Sequence, residues 1–315
     1  MTISDKPRVW LDMDPGIDDS WALVVGMSQC DVQGISTVAG NVPLANTFGN
    51  AKRIMSVIGE QAPPIIPGAD HPLLTPLVTA REFHGEGGVG AWEGGGAEEV
   101  PVGTVRVWNW WASHPEALQQ THLIATGPLT NLGVALLAHP ELADRFASVT
   151  LMCGALPGTQ LDKAQEFNVY VDPQAADLVF HWGKRVQLIG INVCHTALIP
   201  IADLKRLSQY GRVGEMLSRM LSFYSERSRG EGGDPGAFPI DDVVAVAAVA
   251  RPEFFTWQEL PLAVVREGPL RGTVVVSPVD LKRPPVRVAV SVDAAAFRNW
   301  VWESMEHYRP GARRA

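Results

Sequence analysis

Short apolar, β-branched runs that each end in Gly, Asn or Asp or break at such a residue alternate with segments of helical period from Arg8 to Val193, and this alternation limits the fold more than any single motif does. RVWLDMD, VQGISTVAG, THLIATG, SVTLMCG and RVQLIGINV read as buried parallel strands. DDSWALVVGM, LANTFGNAKRIMSVIG, PLTNLGVALLAHPEL and DPQAADLVFHWG lie between them and read as helices. A strand-then-helix order predicts an α/β fold, a doubly wound and mostly parallel sheet flanked by helices, Rossmann-like in plan. Such sheets bind ligands at the carboxyl ends of their strands, so the residues just after each strand are where chemistry is expected. From Gln258 onward a second set of strands (LPLAVV, GTVVVS, VRVAVSV) and a Trp-bearing helix follow, with no acidic cluster and no internal repeat. One large domain over residues 1–315 is expected.

Composition narrows the function. The chain carries 26 Lys plus Arg against 34 Asp plus Glu, a formal net charge of −8, and its longest basic run is Arg313-Arg314. Polyanions such as nucleic acids are therefore excluded as expected partners. The opening MTISDKPR has no apolar signal core, and the apolar run from Val243 to Ala250 is too short to span a bilayer, so a cytoplasmic location without membrane contact is expected. Cys30, Cys153 and Cys194 form no C-x-x-C pair, so they read as buried thiols.

The strand ends carry an unusual charge cluster. Residues 12 to 21, DMDPGIDDSW, hold Asp12, Asp14, Asp18 and Asp19 around a Pro-Gly-Ile turn. Acidic residues in a first helical turn are ordinary caps. Capping does not account for Asp12 and Asp14 at the strand end, where like charges at close range raise one another's pKa unless something neutralises them. A hard dication, Ca²⁺ or Mg²⁺, suits such oxygen ligands, and no His or Cys spacing competes for a softer metal. Asp241-Asp242 opens a later apolar helix and offers a distant carboxylate to close the same site. Trp21 belongs with Val24 and Val25 on the buried face of the helix that starts at the cluster.

Three other stretches stand out. Residues 84 to 104, HGEGGVGAWEGGGAEEVPVGT, are too glycine-rich for a helix or strand and read as a mobile loop; His84, Glu86 and Trp92 suggest a lid over a site, with Trp92 able to stack on a base. Residues 227 to 239 read as a second mobile loop. In GTQLDKAQEFNVYVDPQAA, Glu166, Phe167 and Asn168 are expected to lead into a strand, and carboxylate and amide groups around an aromatic suit a hydroxyl-rich ligand such as a sugar.

Taken in order, DMDPGIDD, VAGN, HGEGG, ATGPLTNL, LMCG, EFNVYVDPQAA and PIDD resemble the motifs of the inosine-uridine preferring nucleoside hydrolases over residues 8 to about 305. The resemblance implies hydrolysis of the N-glycosidic bond of a ribonucleoside to ribose and free base, in nucleoside catabolism and base salvage, with a bound Ca²⁺. It implies Asp14, Asp19, the Thr126 carbonyl and Asp242 as metal ligands, and Asp18, Asn41, Gln160, Glu166 and Asn168 as ribose contacts. Asp12 supports the cluster, and water is activated by the metal together with Asp14 as base. A homo-oligomer, dimer or tetramer, is the expected assembly.

Two positions depart from the pattern. Gln160 stands where an Asn is common, and Asp241 stands where many members have a His that helps protonate the departing base. Beside a cation Asp241 is expected to be ionised and a poor proton donor. His84, Trp92, Tyr224 and Asp241 are the expected contacts to the base or leaving group, with His195 a further possible acid. Ribosides with activated leaving groups, such as nitrophenyl riboside, are then expected to react faster than inosine or uridine. Two other classes compete. A strand ending in D-x-D also resembles Mg²⁺-dependent phosphohydrolases, but Pro15-Gly16 follow where those enzymes carry Thr or Val, and Asp18-Asp19 go unexplained. A non-catalytic nucleoside or sugar binder uses similar Asn and Asp groups without needing an ion and a base.

Overall fold

The computed structural model describes residues 6–156, 165–182, 185–228, 236–277 and 282–311, with side chains 224–228 excepted. The chain runs β1 (Arg8–Met13), α1 (Ile17–Gln29), β2 (Asp31–Thr37), α2 (Leu44–Ile58) and β3 (Ile65–Pro67), then three short helices, α3 (Arg81–His84), α4 (Val107–Ser113) and α5 (Pro115–Leu118). It continues with β4 (His122–Ala125), α6 (Thr130–Ala138), β5 (Ser148–Met152), α7 (Phe167–Val171), α8 (Pro173–Trp182), β6 (Val186–Ile189) and α9 (Ile191–Cys194). The last part holds β7 (Ile199–Pro200), α10 (Gly211–Ser228), β8 (Ala237–Phe238), α11 (Asp241–Ala250), β9 (Phe255–Val264), β10 (Val274–Val276), β11 (Pro285–Val292) and α12 (Ala294–Met305).

Nine strands form one sheet in the order β10-β9-β11-β6-β5-β4-β1-β2-β3. Pairing is parallel from β11 through to β3, and β9 is antiparallel to both β11 and β10. The expected doubly wound α/β sheet is therefore present, with the strands of the tail added to one edge. Chain order reverses between β1 and β4, and the crevice at their carboxyl ends is where such a sheet binds ligands.

Strand parity decides what each face buries. In β1, Val9, Leu11 and Met13 pack on one side with α1, α10, α11 and α12, while Trp10 packs on the other with α4, α6 and α8. Asp12 shares the parity of Trp10, so it points away from α1 and meets Ser36 and Asn131 instead. Trp21 is fully buried with Val24 and Val25 and meets Trp302 edge-on, ring centroids 5.6 Å apart. Trp21→Ala is expected to cost about 3–5 kcal/mol, read as a lowered urea midpoint; a loss below about 1 kcal/mol would contradict this packing.

One expected element differs. The residues after Glu166 form the short helix α7 rather than a strand, because the Glu166 carboxylate accepts from the Asn168 and Val169 amides and caps a helical turn. That local cap overrides the β-branched, aromatic look of FNVYV. Between Gly85 and Arg106 there is no helix or strand, as the glycine content predicts, but the segment is tied down: Asn50 of α2 donates to the Gly87 carbonyl at 2.8 Å and accepts from the Gly96 amide at 3.0 Å. Of the segment 227–239, α10 reaches Ser228 and Ala237–Phe238 pairs with Ile199–Pro200; the rest lies outside the described residues. Among the described residues no helix is long and apolar enough to cross a membrane.

Candidate active site

Five elements meet at the crevice. β1 delivers Asp14, the start of α1 brings Asp18 and Asp19, the turn after β2 brings Asn41, the end of β4 brings Thr126, and the start of α11 brings Asp241 and Asp242. α7 adds Glu166 and Asn168 from the opposite wall. Asp18, Asn41, Thr126, Glu166, Asn168, Asp241 and Asp242 line a cavity of about 220 Å³ together with Phe83, His84 and Ile191, while Asp14 and Asp19 are buried and outside that lining.

Carboxylates dominate its floor. Asp18, Asp19 and Asp242 are buried and offer oxygens within 4.8 Å of one another. Asp19 accepts from the Thr126 hydroxyl at 2.8 Å, the Gly16 amide at 2.9 Å and Asn41 Nδ2 at 3.2 Å. Asp14 accepts from the Asn41 amide at 2.7 Å through Oδ2, while its Oδ1 is buried without a hydrogen-bond partner. Burial first, then the charge of Asp19, pushes the Asp14 pKa well above the usual carboxylate value. Burial and the neighbouring carboxylates do the same to Asp242, and burial with the charge of Asp18 lifts Asp19 to about 6. Four such groups and one oxygen without a partner fit a hard dication, whose charge would offset their repulsion and whose ligand preference is oxygen. The ligand set differs in emphasis from the sequence reading. Asp18, expected at the sugar, offers an oxygen in the same group as Asp19 and Asp242, while Asp14 lies outside that 4.8 Å group with its Oδ1 unpaired. The Thr126 carbonyl accepts from Asn168 Nδ2 at 2.8 Å, which occupies one of its two lone pairs.

The surrounding groups are largely committed to holding this shape. Asp12 accepts from the Ser36 hydroxyl and from Asn131 Nδ2 at 2.7 Å, and burial lifts its pKa to about 7. Glu166 accepts three backbone amides, those of Gly154, Asn168 and Val169. Sequence reasoning missed Ser36, whose signal is its register opposite Asp12 across β1 and β2, and Asn131, which α6 brings to Asp12 with no local signal. It also missed Gly40 and Gly127, where an added Cβ would lie 2.1 Å from Asp14 Oδ2 and 2.8 Å from Asp14 Oδ1.

His84 lines the cavity, and its Nδ1 accepts from the Ile17 amide at 3.1 Å, so the proton of the neutral ring resides on Nε2. Burial lowers its pKa to about 4 against the opposing charge of Asp19. A depressed folded-state pKa means that the stability of the neutral ring is complete above about 6.5 and is lost as pH falls towards 4. The His84 ring signals in an NMR titration are expected to stay constant from about pH 5 to 8. A midpoint above about 6 would contradict this environment.

Not every expected contact is in the cavity. Trp92 lies with Val57, Met216 and Arg219 around a separate surface hollow between α2 and α10. Gln160 and the Tyr224 side chain fall outside the described residues. Asp241 does line the cavity; its Oδ1 is buried without a partner, and its Oδ2 stands 3.9 Å from His195 Nε2. Its ionisation is opposed by burial and by the charges of Asp18 and Glu166, which push its pKa well above the ordinary value.

Residues 9–299 match the inosine-uridine preferring nucleoside hydrolase family. The chain belongs to that family. It is accordingly a hydrolase acting on N-glycosyl compounds. Among curated relatives, the pyrimidine-specific ribonucleoside hydrolase RihA of Salmonella typhimurium is 32% identical over 313 residues, covering 95% of this chain and 98% of the relative. Two solved nucleoside hydrolases share the fold. A plant enzyme superposes with a TM-score of 0.87 at 26% identity, over 95% of this chain and 99% of its own. A purine-preferring ribonucleoside hydrolase from Gardnerella vaginalis gives 0.87 at 25%, over 96% and 98%.

Proposed function

We propose that the chain hydrolyses ribonucleosides to ribose and free base with a Ca²⁺ ion held by Asp14, Asp19, Asp242 and the Thr126 carbonyl, Asp18 standing beside them. The observation that carries this reading is the group of buried Asp18, Asp19 and Asp242 oxygens beside the unpartnered, buried Asp14 Oδ1, with Asp18 and Asp242 lining the cavity. When bound, the cation supplies positive charge that orients the ribose 2′ and 3′ hydroxyls and acidifies the attacking water.

The chain's own residues do the rest. Asp14 Oδ1 takes the proton of the water that attacks the anomeric carbon. Asn41 fixes that base, donating its backbone amide to Asp14 Oδ2 and its side-chain amide to the Asp14 carbonyl at 3.2 Å. Asp18, Glu166 and Asn168 contact the sugar, and their oxygens stabilise the positive charge that develops on it as the bond to the base breaks. The bonding electrons leave with the base, which takes a proton from solvent while Asp14 returns the water's proton to solvent, so that nucleoside plus water gives ribose plus free base. Free base and ribose as products place the reaction in base salvage.

Ribose release from uridine and inosine by the Ca²⁺-loaded protein tests this reading. Release of phosphate from sugar phosphates without any base from nucleosides would overturn it in favour of phosphohydrolysis, and tight binding of intact inosine without turnover would favour a binding protein.

A further inference from the structure

Beyond the sugar-binding groups the cavity turns apolar, with His84 and Asp241 as the polar exceptions. Ala80, Phe83, Phe167 and Ile191 line it, and the nearby Gln165 amide is spent on the Pro269 carbonyl at 2.9 Å. Among these described lining residues Asp241 carries the buried acceptor oxygen that has no hydrogen-bond partner. Asp241 and Asp242 are consecutive in the first turn of α11, so their side chains diverge by about 100° around the helix axis. Asp242 joins Asp18 and Asp19, whereas Asp241 turns towards α9, where His195 caps the helix.

Its side chain is 14% exposed, and its Oδ1 is buried with no hydrogen-bond partner. The 3.9 Å from Oδ2 to His195 Nε2 exceeds hydrogen-bond length. A buried acceptor left unmet costs free energy in the empty cavity, and a ligand that donates to it recovers that cost. In the ribonucleoside reading the sugar hydroxyls go to Asp18, Glu166 and Asn168, which leaves the base to bring the donor that Asp241 Oδ1 lacks.

We propose that Asp241 is a specificity-determining residue that accepts a hydrogen bond from an N–H of the nucleobase, so that bases with an amino group are selected over isosteres lacking it. This rests on the ribonucleoside reading above. A carboxyl oxygen accepts a hydrogen bond in either protonation state, so the contact does not depend on how Asp241 titrates. A base without the donor leaves Oδ1 unpaired under an aromatic ring, which is the arrangement that discriminates most strongly in binding sites.

The test compares kcat/KM for adenosine with purine riboside, and for cytidine with pyrimidin-2-one riboside, in the parent, Asp241→Ala and Asp241→Asn. Within each pair only the amino group differs, and its effect on the leaving group cancels between parent and variant. The preference for the amino compound is expected to fall at least about tenfold in Asp241→Ala. Asp241→Asn keeps an acceptor oxygen and is expected to retain most of the preference. Where turnover of a variant is too slow, calorimetric binding of adenine and purine reads the same ratio. An equal preference in parent and Asp241→Ala for both pairs overturns the inference and leaves the proposed function standing. No ribose from any of the four nucleosides overturns the inference alone if uridine or inosine is cleaved, and overturns both if neither is.

Discussion

Asp14→Asn is expected to lower kcat for ribonucleoside hydrolysis by about 10³- to 10⁴-fold, the size of effect lost with a general base that also ligates a metal. Asparagine has nearly the same shape, so the Asn41 amide still finds an oxygen where Asp14 Oδ2 now accepts it at 2.7 Å. The oxygen that takes the water's proton is lost, together with one negative charge at the cluster. The same substitution has an opposite effect on the ion-free fold. Asp14 is buried beside Asp19 and Asp18, and removing a like charge relieves repulsion, so melting without metal is expected to shift upwards while the gain on adding Ca²⁺ shrinks. A rate within about tenfold of the parent, about 1.4 kcal/mol in barrier, would remove Asp14 as the base.

Gly127→Ala is expected to lower kcat by about a hundredfold with the fold intact. The new Cβ would lie 2.8 Å from Asp14 Oδ1 and 2.8 Å from Val38 Cγ1, both closer than carbon contacts allow, so both neighbours or the Gly127 backbone must shift. Val38 is packed in the core at 1% exposure, whereas Oδ1 has no partner holding it, so the carboxylate yields further. A shift of about 1 Å in a catalytic group costs about 10²-fold. Gly40→Ala is tighter still, with its Cβ 2.1 Å from Asp14 Oδ2 and 2.6 Å from Pro128 Cδ, and is expected to be worse in rate and in melting temperature. Unchanged kcat in Gly127→Ala would show that the position of Asp14 is not critical.

These two glycines mark where sequence pattern stops being enough. The strands were legible because a strand buried on both faces must be apolar and must end where the chain turns, and the Gly and Asp residues of RVWLDMD, VQGISTVAG and THLIATG announce those turns. The acidic cluster was legible because charge at a strand end needs a reason. What each carboxylate touches depends on side-chain direction. Asp18 and Asp19 are adjacent in sequence, yet both reach Asp242, more than two hundred residues away, only because α1 and α11 pack together. Glu166 looked like a sugar ligand alone, and its carboxylate also serves as the cap that makes α7 a helix. Trp92 looked like a stacking residue over the site, and the tie from Asn50 to the Gly-rich segment carries it to the hollow beside α10 instead. Long-range packing of that kind leaves no local periodicity to read.

The central claim is that the buried carboxylates work as a calcium site for riboside hydrolysis, and a single titration addresses it. Protein stripped with a chelator is titrated with Ca²⁺ while ribose release from uridine is followed at each addition. Activity is expected to be below about one hundredth of the loaded value at the start, because four carboxylates without their cation neither hold the sugar nor sustain the developing charge, and to reach its plateau at about one Ca²⁺ per chain. Full activity in the stripped protein, or a plateau reached with Zn²⁺ but not with Ca²⁺, would contradict the account.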